Sequence, residues 1–253
     1  MGDTNLEYDE SFGINTFKRE ICGEVGEEFW NKLTEDLILP DMETEAQCQC
    51  CNMKAFMEKF DSMTDPETIN RILARVRHGV TPSQSAWARV EFLKVGDLDK
   101  FLEGHLQKEL AAFEKMNAEG KDFYGEEITD EVLEFIRQNP MILAPVRKGR
   151  KLYMQAFPAN MKEYLSASGE HMKRYYACHC PFAKESILSE APVSDSLCSC
   201  SLRHAMNFAE AFLDRKLNGR VLTSALKGDM VCSYEVSLPD DIMENYVKEC
   251  PGD

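Results

Sequence analysis

Apolar residues recur at helical spacing through the first half of the chain. The first series has four-residue intervals and comprises Phe17, Ile21, Val25, Phe29, Leu33 and Leu37. This spacing puts its members on one face of a helix, which we expect to end before Pro40. A second helix is predicted from Cys48 to Phe60, where Met53, Phe56 and Met57 form the apolar stripe.

Three further helices are predicted before residue 140. Thr64-Asp65-Pro66-Glu67 indicates a helix start, because an acidic capping residue precedes proline in the first turn. That helix is expected to end at His78-Gly79. A long amphipathic helix is predicted from Leu98 to Phe113, and a short one from Thr129 to Arg137.

The pattern changes after Asn139-Pro140, where strands begin to alternate with helices. Residues 151–157 and 171–178 are predicted as strands, since apolar and polar residues alternate there. Helical segments are expected at residues 159–167, 182–189 and 200–216. Residues 220–226 and 231–238 then form a predicted hairpin, whose turn contains Gly228, a residue that tolerates positive φ.

These elements predict an α+β protein, with a helical N-terminal region followed by an antiparallel sheet packed with helices. We expect the helical region to cover residues 1–140 and the α+β domain to cover residues 141–253. The chain of 253 residues is long enough for one large domain or two small ones.

Charge narrows the classes of partner. The chain carries 44 acidic and 29 basic residues, for a net charge of −15. Nucleic acid and anionic membrane would both be repelled, so neither is expected as the main partner. No apolar signal segment or membrane-spanning run is visible. We therefore expect a cytoplasmic protein with reduced thiols.

The cysteines are the most distinctive chemical feature of the sequence. Two Cys-x-Cys pairs, Cys178-His179-Cys180 and Cys198-Ser199-Cys200, lie in the last third, followed by Cys232 in a predicted strand. Cys178 and Cys180 are expected at a strand end, and Cys198 and Cys200 before a helix. Four thiolates from two pairs suit tetrahedral zinc, although one-residue spacing is less diagnostic than Cys-x-x-Cys. These five cysteines are our predicted metal ligands.

Other roles for these cysteines remain open as hypotheses. Buried cysteine is a common small core residue, and a helix start favours a reactive thiolate at Cys198 or Cys200. Cys48-Gln49-Cys50-Cys51 begins a helix, where its thiols either pack or contribute one ligand to the same site. Zinc is the expected cofactor, and an iron–sulfur cluster is the alternative.

Two further residues are candidates for catalysis. His179 alternates with the two cysteines of its pair and should face away from them, but it can act as a general base. Asp195 is first a turn residue and then a catalytic candidate. Common phosphate-loop, dinucleotide-binding and nucleophile-elbow motifs are missing from the sequence.

The C-terminal third resembles the L-2-amino-thiazoline-4-carboxylate hydrolase-like proteins and the broader vinyl-reductase-type domains. The residues that carry the likeness are Cys180-Pro181-Phe182, the helix start at Cys198, and the hairpin segment Leu222–Tyr234 with its Gly228-Asp229 turn. The likeness covers residues 150–240. It implies a small α+β domain with a pocket between the sheet and the helices.

The resemblance also implies a zinc site around the hairpin. Cys198 and Cys232 fall where such ligands would lie, but the remaining two positions hold Val221 and Ser224, which are not normal zinc ligands. Any metal would have to use Cys178, Cys180 or Cys200 instead.

Three functions follow as hypotheses. The first is metal-assisted hydrolysis of a cyclic amidine or thiazoline-type C–N bond, and the second is non-enzymatic binding of a small-molecule ligand beside a structural cysteine-bound metal. The third is thiol redox chemistry. The sequence leaves the oligomeric state and the identity of the ligand open.

Overall fold

The computed structural model describes residues 13–76, 86–189 and 192–248. Six helices form most of its N-terminal part: α1 (Ile14–Val25), α2 (Glu27–Thr34), α3 (Ala46–Met63), α4 (Pro66–Leu73), α5 (Ala86–Val95) and α6 (Leu98–Ala118). The predicted helix end at His78-Gly79 lies outside the described residues. Helix α5 was not predicted from the sequence pattern.

The prediction of one continuous helix from Phe17 to Leu37 is wrong, because this segment forms two helices. Gly26 separates α1 from α2 with a φ of 90°, a conformation that glycine adopts without the strain of a side chain. The apolar spacing persists across the break because Phe17 and Leu33 still enter one core. Helix α3 and the start of α4 are confirmed, and the Asp65 side chain accepts a hydrogen bond from the Thr68 N–H.

A small hairpin of β1 (Asp122–Phe123) and β2 (Glu126–Glu127) precedes α7 (Asp130–Gln138). The main sheet contains four antiparallel strands in the order β3-β4-β6-β5. Its strands are β3 (Val146–Lys148), β4 (Lys151–Gln155), β5 (Asn218–Thr223) and β6 (Ser233–Ser237). The predicted β5–β6 hairpin is confirmed, and Gly228 in its loop has a φ of 107°.

Four helices accompany this sheet: α8 (Met161–Ser166), α9 (Glu170–Ala177), α10 (Ser199–Leu213) and α11 (Asp240–Tyr246). The strand predicted at residues 171–178 is wrong, because this segment forms α9. The helix brings Arg174 Nε to the Ala225 carbonyl oxygen at 2.8 Å and the Tyr175 hydroxyl to Glu185 at 2.7 Å. These tertiary contacts outweigh the local alternation from which the strand was predicted.

The described residues form three hydrophobic core clusters, and two of them contribute to the candidate site or its surroundings. The first joins α1 to α4 with the cysteine-bearing segments, and the second joins α5, α6 and α10 with the sheet. The predicted α+β class and helical N-terminal region are confirmed. The domain boundary at residue 140 stays a prediction, and both clusters combine residues from its two sides.

Candidate functional site: a centre of five cysteines

The structure brings the five predicted ligand cysteines into one part of the first core cluster. Cys178 follows the C-terminal end of α9, and Cys180 lies in the loop after it. Cys198 ends a 3-10 helix directly before α10, and Cys200 lies in the first turn of α10. Cys232 immediately precedes β6. We call this set the five-cysteine centre.

Four members of the centre interact electrostatically with one another. Cys180 interacts with Cys178, Cys198 and Cys200, and Cys198 also interacts with Cys178 and Cys200. Cys178 interacts with Cys200 and with Cys232. The two Cys-x-Cys pairs therefore form a fully connected set, and Cys232 joins it through Cys178 and Cys198.

Each sulfur of the centre has a nearby hydrogen-bond donor that acts to lower its pKa. For four of the sulfurs the donor is a backbone N–H group. The N–H of Cys180 acts on Cys178, and that of Phe182 acts on Cys180. The N–H of Ser201 acts on Cys200, and that of Ala225 acts on Cys232. Cys198 accepts from the Ser224 side chain. Such bonds favour thiolate over thiol, and they are typical of the surroundings of metal-bound cysteine.

Burial acts in the opposite direction and is the stronger effect. It raises the pKa of Cys178 and of Cys200 to about 12, and it raises the pKa of Cys180 and of Cys198 well above the ordinary range. Burial also raises the pKa of Cys232. Without a cation, all five groups are therefore neutral thiols at physiological pH.

Ser224 is positioned by the loop between β5 and β6. It is fully buried, and its backbone N–H donates to Asp229 Oδ2 at 2.9 Å. The Asp229 N–H in turn donates to the Ser224 carbonyl oxygen at 3.1 Å. Ser224, which occupies one of the ligand positions that the resemblance implies, therefore offers its hydroxyl to the Cys198 sulfur.

Tyr234 is a second polar residue beside the centre that the sequence analysis did not select. It is 4% exposed, and its hydroxyl donates to Ser201 Oγ at 3.1 Å. Ser201 Oγ itself donates to the carbonyl oxygen of Cys198 at 2.6 Å. The alternation of residues in β6 predicts that the Tyr234 side chain faces the core, but no sequence pattern predicts its hydrogen bond to Ser201.

Cys50 connects helix α3 to the centre. It is 2% exposed, and its Sγ lies 4.0 Å from the Pro181 carbonyl oxygen, to which it donates. Backbone N–H groups of Ser186 and Glu185 point at the same sulfur, and Cys50 interacts electrostatically with Cys178. Its neighbours Cys48 and Cys51 are exposed, so Cys50 alone of this group approaches the centre.

The zinc site implied by the resemblance does not fit these residues, because Val221 and Ser224 offer no thiolate or carboxylate. Within residues 13–76, 86–189 and 192–248, moreover, no three His, Cys, Asp or Glu side chains are already arranged to hold a metal ion. All nine described cysteines are free thiols. The centre therefore has the donor chemistry of a thiolate metal site, but its side chains have the positions of packed, protonated thiols.

The two catalytic candidates, His179 and Asp195, make contacts with residues outside the five-cysteine centre. The Nε2 atom of His179 lies 2.5 Å from the Phe157 carbonyl oxygen. Asp195 Oδ2 lies 3.8 Å from Lys227 Nζ, in an ion pair that is about half exposed. Among the described residues, neither the His179 nor the Asp195 side chain has a hydrogen bond or ion pair with a sulfur of the centre. The catalytic roles of these two residues stay predictions.

Two clefts of about 410 and 340 Å³ lie beside α7 and α8. Asp130, Glu131 and Leu165 line both of them. Neither cleft is lined by a member of the five-cysteine centre, so they give the centre no substrate pocket.

Comparisons with protein-family models, with curated proteins and with solved structures found no match. Among the described helices, none is long and apolar enough to cross a membrane.

Proposed function

We propose that this protein binds a soft metal ion through the five-cysteine centre. The observation that carries the proposal is that cysteines from three chain segments lie in one core cluster, each with a nearby hydrogen-bond donor that lowers the pKa of its thiol. A core built only for packing needs no such donors around its cysteines. Zinc takes four thiolates, which is the number supplied by the two interacting Cys-x-Cys pairs.

Metal binding would replace the protons that burial now keeps on the sulfurs. Because a cation removes the cost of burying thiolate charge, four ligands become anionic only when it binds, and protons are released. Rotation between staggered χ1 rotamers changes the position of each sulfur without moving its backbone. Such rotations would be required to gather the ligands around one point.

The raised pKa values argue against the redox alternative. A reactive cysteine needs a lowered pKa and access to its partner, whereas burial raises the pKa of Cys198 well above its ordinary range. Its position before helix α10 does not offset that burial. The thiols of the centre are therefore better suited to a cation than to exchange with a disulfide.

The proposed role of the metal is structural. The centre lies where the α9, α10 and hairpin segments pack against the N-terminal helices, so a bound ion would crosslink these three segments in the first core cluster. This corresponds to the non-enzymatic hypothesis. Hydrolysis of a cyclic C–N bond stays a prediction from the resemblance, and an iron–sulfur cluster stays the alternative to zinc.

The test is the metal and acid-labile sulfide content of protein purified without oxygen. We expect about one metal ion per chain and no sulfide, with the metal lost in Cys178→Ser and in Cys198→Ser. Cys51→Ser is the matched control, because Cys51 is exposed on α3, and it should retain the metal. Stoichiometric sulfide with iron would indicate a cluster instead, and a metal-free protein that fails to take up zinc would refute metal binding.

A further inference from the structure

One face of the main sheet is polar although the opposite face is apolar. In antiparallel pairs, residues directly opposite each other point to the same side. Tyr153 pairs with Glu235, Gln155 with Ser233, and Arg220 with Glu235. By this register and alternation, one side carries Lys148, Lys151, Tyr153, Gln155, Arg220, Thr223, Ser233 and Glu235. We call this side the polar sheet face.

The charges of the polar sheet face are organised around one buried carboxylate. Glu235 is 7% exposed, and its Oε1 accepts from Lys151 at 2.5 Å and lies 3.1 Å from Arg220 Nε. Its Oε2 accepts from the Tyr153 hydroxyl at 3.1 Å. This carboxylate pairs with both cations, whose side chains stay 40% and 65% exposed for Lys151 and Arg220.

Lys148 adds a third cation to the same face. Its Nζ lies 5.6 Å from the centre of the Tyr153 ring. Among the strand residues of this face, three cations therefore accompany a single carboxylate. This excess is positive, although the chain as a whole has a net charge of −15.

Gln155 supplies the observation that points to a ligand. It is 8% exposed, and its Nε2 is enclosed without a hydrogen-bond partner. A buried amide donor without an acceptor is costly, and such groups are normally satisfied. The neighbouring hydroxyls are bonded to one another, since Thr223 Oγ1 and Ser233 Oγ lie 2.6 Å apart.

We infer that the polar sheet face binds a small organic carboxylate, one of whose oxygens accepts from Gln155 Nε2 while Lys151 and Arg220 supply the positive charge. A carboxylate meets both needs because it accepts hydrogen bonds and carries negative charge. The Tyr153 ring and the Val146 side chain, on the same face, suit a compact planar body. Because Gln155 Nε2 is enclosed, the side chains over it must move when the ligand enters.

This site does not depend on the proposed metal. The polar sheet face is on the side of β6 opposite Tyr234, whose hydroxyl lies beside the five-cysteine centre. Metal content and carboxylate binding can therefore be measured separately, and either can fail without the other.

The experiment is an NMR titration of the full chain with benzoate, observed at the side-chain amide of Gln155. We expect a saturable shift of that signal, and affinity about tenfold weaker in Lys151→Gln and in Arg220→Gln, since each variant removes a charged donor. Lys32→Gln, on the exposed surface of α2, is the control and should bind as the parent does. Benzamide, which has the same ring without the charge, should give no saturable shift.

Gln155→Leu separates binding from folding. It removes an unsatisfied donor while keeping a similar volume, so the protein should stay folded. The backbone amide of Ser233, which pairs with position 155, should shift saturably with benzoate in the parent and not in Gln155→Leu. A titration with inorganic phosphate tests whether the site requires only negative charge. Phosphate binding as tight as that of benzoate would overturn the carboxylate assignment. Absence of saturation with benzoate, or unchanged affinity in Lys151→Gln, would overturn the site.

Discussion

Two core clusters meet along helix α10, and they are built from different chemistry. The cluster around Cys200, at the start of α10, contains the five-cysteine centre. The cluster around Phe212, near its end, is held together by aromatic rings. Phe92 lies 5.4 Å from both Phe101 and Phe212 by ring centres, and Phe101 lies 4.8 Å from Phe212.

The difference teaches which part of the fold depends on metal supply. Aromatic packing needs no ion, and its contribution is fixed by buried area and ring geometry. The thiol cluster contains groups that exchange protons for a cation, so its stability should follow metal supply.

Truncation of Phe92 should have the largest effect. This side chain is fully buried among Phe101, Phe212 and Tyr246. We expect Phe92→Ala to lower the free energy of unfolding by about 3–5 kcal/mol through lost burial and a cavity. Urea denaturation measures it, and the loss should be the same with and without metal. Val90→Ala, at an exposed position of α5, should change stability little, and a similar loss there would contradict the assignment of the core.

Acid should weaken the aromatic cluster through His105. Burial lowers the pKa of His105 from 6.5 to about 4, and its ring stacks on Phe208 at 4.4 Å. Because the folded-state pKa lies below the unfolded value, the stabilisation is complete above pH 6.5 and is lost as the pH falls through about 4. This contribution amounts to about 3 kcal/mol.

The measurement compares His105→Phe with the parent by urea denaturation between pH 7 and pH 4. The variant keeps an aromatic ring but cannot titrate, so its stability should fall less steeply over this interval. Parallel curves for the two proteins would show that His105 does not contribute to the acid sensitivity.

Metal should stabilise the protein through the thiol cluster. At a free zinc concentration 100 times the dissociation constant, the free energy of unfolding should rise by about 2.7 kcal/mol. Thermal or urea unfolding with zinc and with a chelator measures the change. Cys198→Ser should abolish most of it, whereas Cys48→Ser, at an exposed position, should retain it. An equal zinc effect in Cys198→Ser would place the ion elsewhere.

Cys50→Ala should have the smallest effect on stability. It removes one weak donor to the Pro181 carbonyl oxygen and one acceptor for the Ser186 N–H, at a cost of about 1 kcal/mol. Because that contact holds the loop next to Cys180, zinc affinity should also fall. Cys51→Ala on the exposed side of α3 is the control, and equal zinc affinity in both variants would contradict a link between α3 and the centre.

Much of the fold was predictable from local patterns. The Asp65-Pro66 start of α4 and the Gly228 hairpin depend on residues next to each other in the chain, and both are confirmed. Helix α9 was mistaken for a strand because Arg174 and Tyr175 are directed by distant partners. Helix α5 was missed because Trp87 and Val90 are exposed while Ala88 and Phe92 are buried, so it has no clean apolar stripe.

The site was predictable in its members but not in its surroundings. Spacing selected the two Cys-x-Cys pairs, and the resemblance to a family added weight to Cys198 and Cys232. The expectation that Cys178 and Cys180 lie at a strand end is wrong, because they follow α9. Ser224 and Cys50 reach the centre only through tertiary contacts, which no short-range pattern reports.

The most direct test of the central claim is X-ray absorption at the zinc edge of the zinc-loaded protein. Four sulfur neighbours at about 2.3 Å are predicted, because the two Cys-x-Cys pairs supply four thiolates. The count should fall in Cys178→Ser and stay at four in Cys51→Ser. A first shell dominated by nitrogen or oxygen, or a spectrum unchanged by Cys178→Ser, would contradict the five-cysteine centre as the metal site.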